Sequence, residues 1–180
     1  MNDIFIRSLD RDDLLFLYRL YSDVEACRAS GARPAESIVR AQQYLEKHLE
    51  MKNCFVIVLK ETMQPVGIVY CTQDIHRINR KAFMLSYKLE RNHWGKGYMT
   101  QAVKLMLKYL FLNNGADIVA AAHFVDNRRS KRVLEKCGFV YEGTLRREFT
   151  HWDGRILDSC MYSMTYDEYE QKRKQLTIKG

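Results

Sequence analysis

Apolar residues recur along the chain at two periods, and each change of period marks a new element. IFIRSL (4–9) reads as a strand. Asp10 then offers a side-chain cap, and Leu14, Leu17, Tyr18, Tyr21 and Val24 follow at helical spacing until SGARP interrupts them. A second helix carries Ile38, Ala41, Leu45, His48 and Leu49 on one side. CFVIVL (54–59) and VGIVYC (66–71) are short apolar runs joined by KETMQP, which predicts a hairpin, and AFMLSYKL (82–89) predicts the next strand. Beyond it, Met99, Ala102, Val103, Met106, Leu107, Leu110 and Phe111 form an unbroken helical stripe. It stops at Asn113-Asn114-Gly115, residues that favour a helix C-terminus. IVAAAHFV (118–125) reads as a buried strand and 127–137 as a short helix stopped by Gly138. FVYEGTLRREF and RILDSCMYSM then predict a hairpin around His151-Trp152-Asp153-Gly154, followed by a helical tail.

This order predicts one mixed α/β domain over residues 1–180. Hairpins dominate and only one or two crossovers are parallel, so the sheet should be mostly antiparallel and flanked by helices. With 47% hydrophobic residues and two prolines, the composition is that of a globular chain and not a disordered one. No run approaches the roughly 18 apolar residues of a membrane span. The start, MNDIFIRSLDRDD, has acids and no long apolar stretch, so it does not read as a signal peptide, and a cytoplasmic protein is expected. Five scattered cysteines without a CxxC pair read as free thiols. Five histidines without HExxH or HxH spacing give no metal site. A net charge of +7 and a pI near 9.2 suit an anionic ligand, or a solvated surface that keeps the protein soluble.

The candidate chemistry sits in WGKGYMT, Trp94 to Thr100, where the strand-like run stops and the long helix begins. A Walker loop would need glycine where Glu90 stands and Ser or Thr where Gly97 stands; a dinucleotide fingerprint would need a third glycine where Thr100 stands. Neither motif is present. What remains is a glycine loop feeding a helix. Gly95 and Gly97 let the backbone approach a ligand closely, and the N–H groups from Gly95 through Lys96, Gly97, Tyr98 and Met99 to Thr100 converge with the positive end of the helix dipole. A pyrophosphate fits such a place; a plain tight turn would use the same glycines.

SYKLERNHWGKGYMTQAV, VDNRRSKRVLEKCGFVYEGTLRRE and the closing GRILDSCMYSM together resemble the GNAT acyltransferase superfamily, within it the ribosomal-protein N-terminal (Rim-type) acetyltransferases. The resemblance runs from Ile4 to Tyr166 and is strongest from Tyr87 to Arg147. The superfamily signature Q/R-x-x-G-x-G/A falls on Trp94, Gly97 and Met99, and only the central glycine is kept. The resemblance implies a GNAT fold and acetyl-CoA as co-substrate, its pyrophosphate on the loop and its pantetheine arm along the backbone of Tyr87, Lys88 and Leu89. It further implies an oxyanion donor on the strand Leu85-Ser86-Tyr87, Asn127 beside the pantetheine, and Ser130 as the group that serves the departing thiolate. Ser130 can equally be read as part of the local cap that Asn127 provides.

Met84 stands where Rim-type relatives carry a glutamate, and Leu134 where spermidine acetyltransferases carry a tyrosine. The remaining candidates for the base are Glu148, Asp158, His76 and His151, or a water chain between them. A peptide α-amine, with a pKa about 7.7–8.0, needs less help than a lysine at about 10.4. The acceptor expected is therefore a protein N-terminal amine, with a polyamine, an antibiotic or another small amine as the alternative. Tyr18, Tyr21, Arg28, Arg33 and Trp152 are the residues expected on the acceptor side. A homodimer is the expectation by analogy. An RNA- or ribosome-binding module, for which no RRM pattern appears, and an acyl-CoA sensor with weak catalysis are the rival functions.

Overall fold

The computed structural model describes residues 3–178 apart from Asn79. Seven strands form one sheet in the order β1-β2-β3-β4-β5-β7-β6. They are β1 (Ile4–Ser8), β2 (Cys54–Leu59), β3 (Pro65–Gln73), β4 (Ala82–Leu89), β5 (Ile118–Phe124), β6 (Val140–Thr150) and β7 (Ile156–Thr165). Every neighbouring pair is antiparallel except β4 with β5, which the helix α4 (Tyr98–Leu112) connects. A parallel pair needs such a crossover, so the longest helix among the described residues lies where the topology demands it.

The central strands are apolar on both faces because both faces are covered. Val56, Val58 and Ile68 pack against Leu17, Leu20 and Leu45 of α1 (Leu14–Ser22) and α3 (Ile38–Leu49). Ile57, Val69 and Leu85 pack on the opposite side against Met106, Leu107 and Leu110 of α4 and Leu134 of α5 (Arg128–Cys137). The result is helix, sheet, helix, closed by α6 (Tyr166–Ile178). The seven-residue apolar stripe of α4 is buried throughout, and each large side chain in it contributes about 2 kcal/mol by leaving water. That anchoring makes the N-terminus of α4 a fixed point.

The expected strands and the α4 stripe are present. The first expected helix is not continuous. Asp10 caps a single 3₁₀ turn, Arg11–Asp13, with the reciprocal bond from the Asp10 backbone N–H to the Asp13 carboxylate. α1 then ends at Asp23, whose extended ψ of 104° breaks the helix and whose side chain caps a new one, α2 (Val24–Ser30), by accepting from Glu25 and Ala26 N–H. Val24 is correspondingly exposed, off the buried stripe. No helix among the described residues is long and apolar enough to cross a membrane.

Candidate active site

β4 hands over to α4 through a 3₁₀ turn, Arg91–His93, and the stretch Trp94 to Gly97. Gly95 and Gly97 have φ of +78° and +81°, the left-handed region that side chains with a Cβ rarely adopt. A Cβ built on either would meet nothing within 4 Å, so the loop faces open space. The first backbone bond of α4 runs from Gln101 N to Gly97 O at 3.1 Å, and no side chain caps the helix. The N–H groups of Tyr98, Met99 and Thr100 therefore have no acceptor within the helix. Loop and helix together present donors and a positive dipole end to an anion. Lys96 is exposed on the same loop. His93, which faces Tyr98, is held below the ordinary histidine range by burial first and by Lys96 second.

Two side chains of the signature positions do structural work. The Trp94 indole N–H donates to Leu89 O at 2.9 Å, and the Arg129 guanidinium lies 4.0 Å from the centroid of its ring, tying the loop to α5. Met99 points into the core. Neither offers a group to a ligand in this arrangement; the main chain does.

The second half of the site comes from the sheet. β4 pairs with β5 from Ala82↔Ile118 to Leu85↔Ala121, and the ladder stops there. From Ser86 to Leu89 β4 keeps its partners on β3, while β5 continues with β7 as far as Phe124↔Ser159. The two parallel strands thus part in a V beside the glycine loop, and β4 offers main-chain groups along its inner edge. The start of α5 closes the far side of this V. Asn127 Oδ1 accepts from Ser130 N–H at 3.1 Å, and Asn127 Nδ2 donates to Ala29 O at 2.9 Å, so its amide joins α5 to α2.

Ser130 is 9% exposed, and its Oγ lies 2.6 Å from the Tyr87 hydroxyl. Burial pushes the Tyr87 phenol up, against the pull of the Ser130 hydrogen bond. Both readings of Ser130 are therefore present: its backbone N–H receives the cap, while its hydroxyl is paired across the V. The Tyr87 phenol was missed by a reading that placed only its backbone at the site. The signal was the alternation of β4, which puts Leu85, Tyr87 and Leu89 on the α4/α5 face. Lys88 points the other way. Its Nζ donates to Cys27 Sγ at 2.8 Å and sits 4.3 Å from the Tyr21 ring centroid; burial lowers its pKa and raises that of Cys27.

A groove of about 990 Å³ opens between α2 and the β5–α5 junction. Asp23, Glu25 and Arg28 form one wall; Phe124, Asp126 and Asn127 form the other, with Arg155 of the last hairpin at the end. Of the expected acceptor residues, Arg28 is here, Tyr21 is buried and stacked on Tyr44 at 4.1 Å, and Arg33 lines a separate pocket of about 300 Å³. Tyr18 packs on the α1–α3 core, and Trp152 lies against His151 at the hairpin tip, its ring 5.0 Å away.

The four base candidates are not brought together. Glu148 accepts from Ser159 Oγ and Asp158 from Arg147 N–H, His76 is exposed in the loop after β3, and the His151 side chain is enclosed, with Nδ1 2.6 Å from Asp153. Asp126, one of three carboxylates that line the groove, was not anticipated from sequence. Met84 pairs with Ala120 in the ladder, and Leu134 is buried in the core. Among the described residues no group of three or more His, Cys, Asp or Glu could hold a metal ion.

The profile of the acetyltransferase (GNAT) domain matches residues 3–140. The chain belongs to the GNAT acetyltransferase family. It is 28% identical over 169 residues to an uncharacterized N-acetyltransferase, p20, of Bacillus licheniformis, covering 91% of this chain and 93% of that one. Among solved structures, the spermidine N-acetyltransferase of Vibrio cholerae in complex with CoA and spermine superposes with a TM-score of 0.80 at 23% identity, covering 93% and 98% of the two chains. The ribosomal-protein-S5-alanine acetyltransferase of Vibrio fischeri gives 0.80 at 21%, covering 93% and 96%. These last two share the fold of this acetyltransferase. The protein is an acetyl-CoA-dependent N-acetyltransferase.

Proposed function

We propose that this enzyme moves the acetyl group of acetyl-CoA directly onto a primary amine, foremost a protein N-terminal amine, with both substrates bound at once. The observation that carries the reading is the uncapped N-terminus of α4, fronted by Gly95 and Gly97, next to the released inner edge of β4. In this reading the N–H groups from Gly95 to Thr100, with Lys96, hold the pyrophosphate, and the backbone of Tyr87 to Leu89 aligns the pantetheine arm. Trp94 keeps the loop in shape, and Asn127 holds α5 in place beside the arm.

The thioester arrives activated, so alignment in the V supplies much of the rate; well-oriented pairs gain on the order of 7–11 kcal/mol. A main-chain N–H of the Leu85-Ser86-Tyr87 stretch faces the carbonyl oxygen as it becomes anionic. Ser130 relays to the departing thiolate the proton that the attacking amine gives up, its hydroxyl held in place by the Tyr87 phenol at 2.6 Å. Met84 supplies no carboxylate base. An α-amine with a pKa about 7.7–8.0 is partly neutral at physiological pH and tolerates that absence, whereas a lysine at about 10.4 does not. The five cysteines are all free thiols, which supports a reducing, cytoplasmic setting.

A small amine is the second reading, supported by the shared fold with the spermidine enzyme of Vibrio cholerae. Thiol release from acetyl-CoA against a panel of N-terminal peptides, polyamines and aminoglycosides tests the choice. Turnover with peptides and little with the others is expected; turnover confined to polyamines or aminoglycosides overturns it.

A further inference from the structure

The charges around the groove bear on which amine enters it. Among the residues that line it, five arginines face three carboxylates. Two of those carboxylates already have cationic or main-chain partners. Asp23 caps α2 and lies 3.2 Å from Arg91, and Glu25 lies 2.9 Å from the same guanidinium. A polyamine entering here would find no pair of open carboxylates and an excess of like charge.

At the other end the balance tips further. Arg28 of α2 and Arg155 of the hairpin turn toward one carboxylate, that of Asp153. Arg155 binds it closely, with Nε 3.0 Å from Oδ2 and 3.1 Å from Oδ1, and His151 Nδ1 lies 2.6 Å from Oδ1. Burial pushes the Asp153 carboxyl up, but the His151 and Arg155 hydrogen bonds outweigh it and hold it below the usual range, so it is charged and engaged. Arg28 stays 3.8 Å away, longer than a hydrogen bond, with its side chain 52% exposed. A guanidinium carries five N–H donors and matches a carboxylate in two-pronged geometry. The groove lining contains none of residues 95–100, so these arginines are separate from the phosphate-facing loop.

We infer that Arg28 and Arg155 form a clamp for a carboxylate lying a few bonds from the acceptor amine. This rests on the acetyl-transfer reading above and narrows its substrate. The acceptor class is a primary amine with a neighbouring carboxylate, supplied either by a peptide that begins with Asp or Glu or by a free acidic amino acid. Asp153 holds Arg155 in position, and α2 brings Arg28 opposite it, so the clamp spans the junction between the helix and the hairpin tip.

The test is steady-state thiol release with acetyl-CoA and matched acceptors: peptides beginning Asp or Glu, the same peptides beginning Asn or Gln, free aspartate and glutamate, the same two amino acids with every carboxyl amidated, and spermidine. The acids should exceed their amides at least about tenfold in kcat/KM, the worth of a hydrogen-bonded ion pair. The peptide and free amino-acid arms tell the two sources apart. Arg28→Gln and Arg155→Gln should raise KM for the acids and bring the acid-to-amide ratio toward one, while calorimetry gives an unchanged acetyl-CoA affinity. Arg155→Glu, a second route should the first variants prove unstable, should invert the preference toward cationic amines. Equal turnover of acids and amides with acetyl-CoA bound overturns the clamp alone, and a preference for spermidine in the wild type overturns the clamp and the peptide acceptor while leaving acetyl transfer itself standing. Absence of acetyl-CoA binding in the wild type overturns the underlying reading and the clamp with it.

Discussion

Removing the Ser130 hydroxyl separates its two positions in the structure. Ser130→Ala keeps the main-chain N–H that Asn127 caps, so the start of α5 should persist. It leaves the Tyr87 hydroxyl without its 2.6 Å partner in a nearly dry setting, a loss of about 1–3 kcal/mol of folding stability. Tyr87→Phe in the same chain removes the stranded group, so the double variant should regain most of that loss. Turnover should behave differently. A positioned proton donor is worth roughly 10²–10⁴ in rate, so kcat should fall at least about a hundredfold in Ser130→Ala and stay low in the double variant. Acetyl-CoA affinity, read by calorimetry, should stay within about twofold, since the loop and the β4 edge are untouched. The assay is steady-state thiol release beside urea unfolding, repeated with an acetyl thioester whose thiol is more acidic and leaves without a proton; that carrier should recover much of the rate. An unchanged kcat returns Ser130 to capping alone, and a kcat that recovers with stability in the double variant refutes the proton-transfer role.

His48 lies buried with Nε2 2.7 Å from the Tyr21 hydroxyl, and its pKa is lowered to about 4 by burial first, then by Lys47 and Lys88. The unfolded chain binds that proton near 6.5, so stability is complete above that pH and falls as pH drops from 6.5 to 4, by about 3 kcal/mol in all. Urea unfolding across this range should show the slope and His48→Phe should flatten it; an equal slope in the variant contradicts the assignment. Asp23→Ala removes the cap of the seven-residue α2 and a partner of Arg91, and should cost about 1 kcal/mol in denaturant unfolding while raising the acceptor KM more than it alters acetyl-CoA affinity. Equal effects on both substrates would place α2 elsewhere in the reaction.

What the sequence disclosed and what it hid divide along physical lines. β4 and the α4 stripe were legible because one buries a contiguous apolar run and the other repeats at helical spacing for four turns. The loop between them was legible because positive φ calls for glycine. The break at Asp23 was hidden by spacing that runs through it, since a cap in mid-pattern looks like any polar residue. The parting of β4 from β5 after Leu85 is a property of pairing and not of either strand's composition. Contacts such as Tyr87 with Ser130, Lys88 with Cys27 and Arg28 with Asp153 join residues far apart in the chain, and a single sequence does not reveal them. The acceptor side suffered most. Tyr21 looked like a groove residue by position but serves the core, while Asp126 carried no pattern at all.

The central claim is that main-chain N–H groups at the start of α4 hold the carrier's diphosphate. Gly97→Asp tests it most directly. Its Cβ would meet nothing within 4 Å, and aspartate tolerates the left-handed conformation better than most residues, so folding should lose only about 1–2 kcal/mol. A carboxylate about 5 Å from the diphosphate opposes it by roughly 3 kcal/mol at an effective dielectric near 20, more than a hundredfold in affinity. Calorimetric titration of acetyl-CoA into wild type and variant, each shown folded by circular dichroism, gives the answer. Binding by the wild type and loss of about a hundredfold or more in the variant is the predicted result; equal affinities would contradict it.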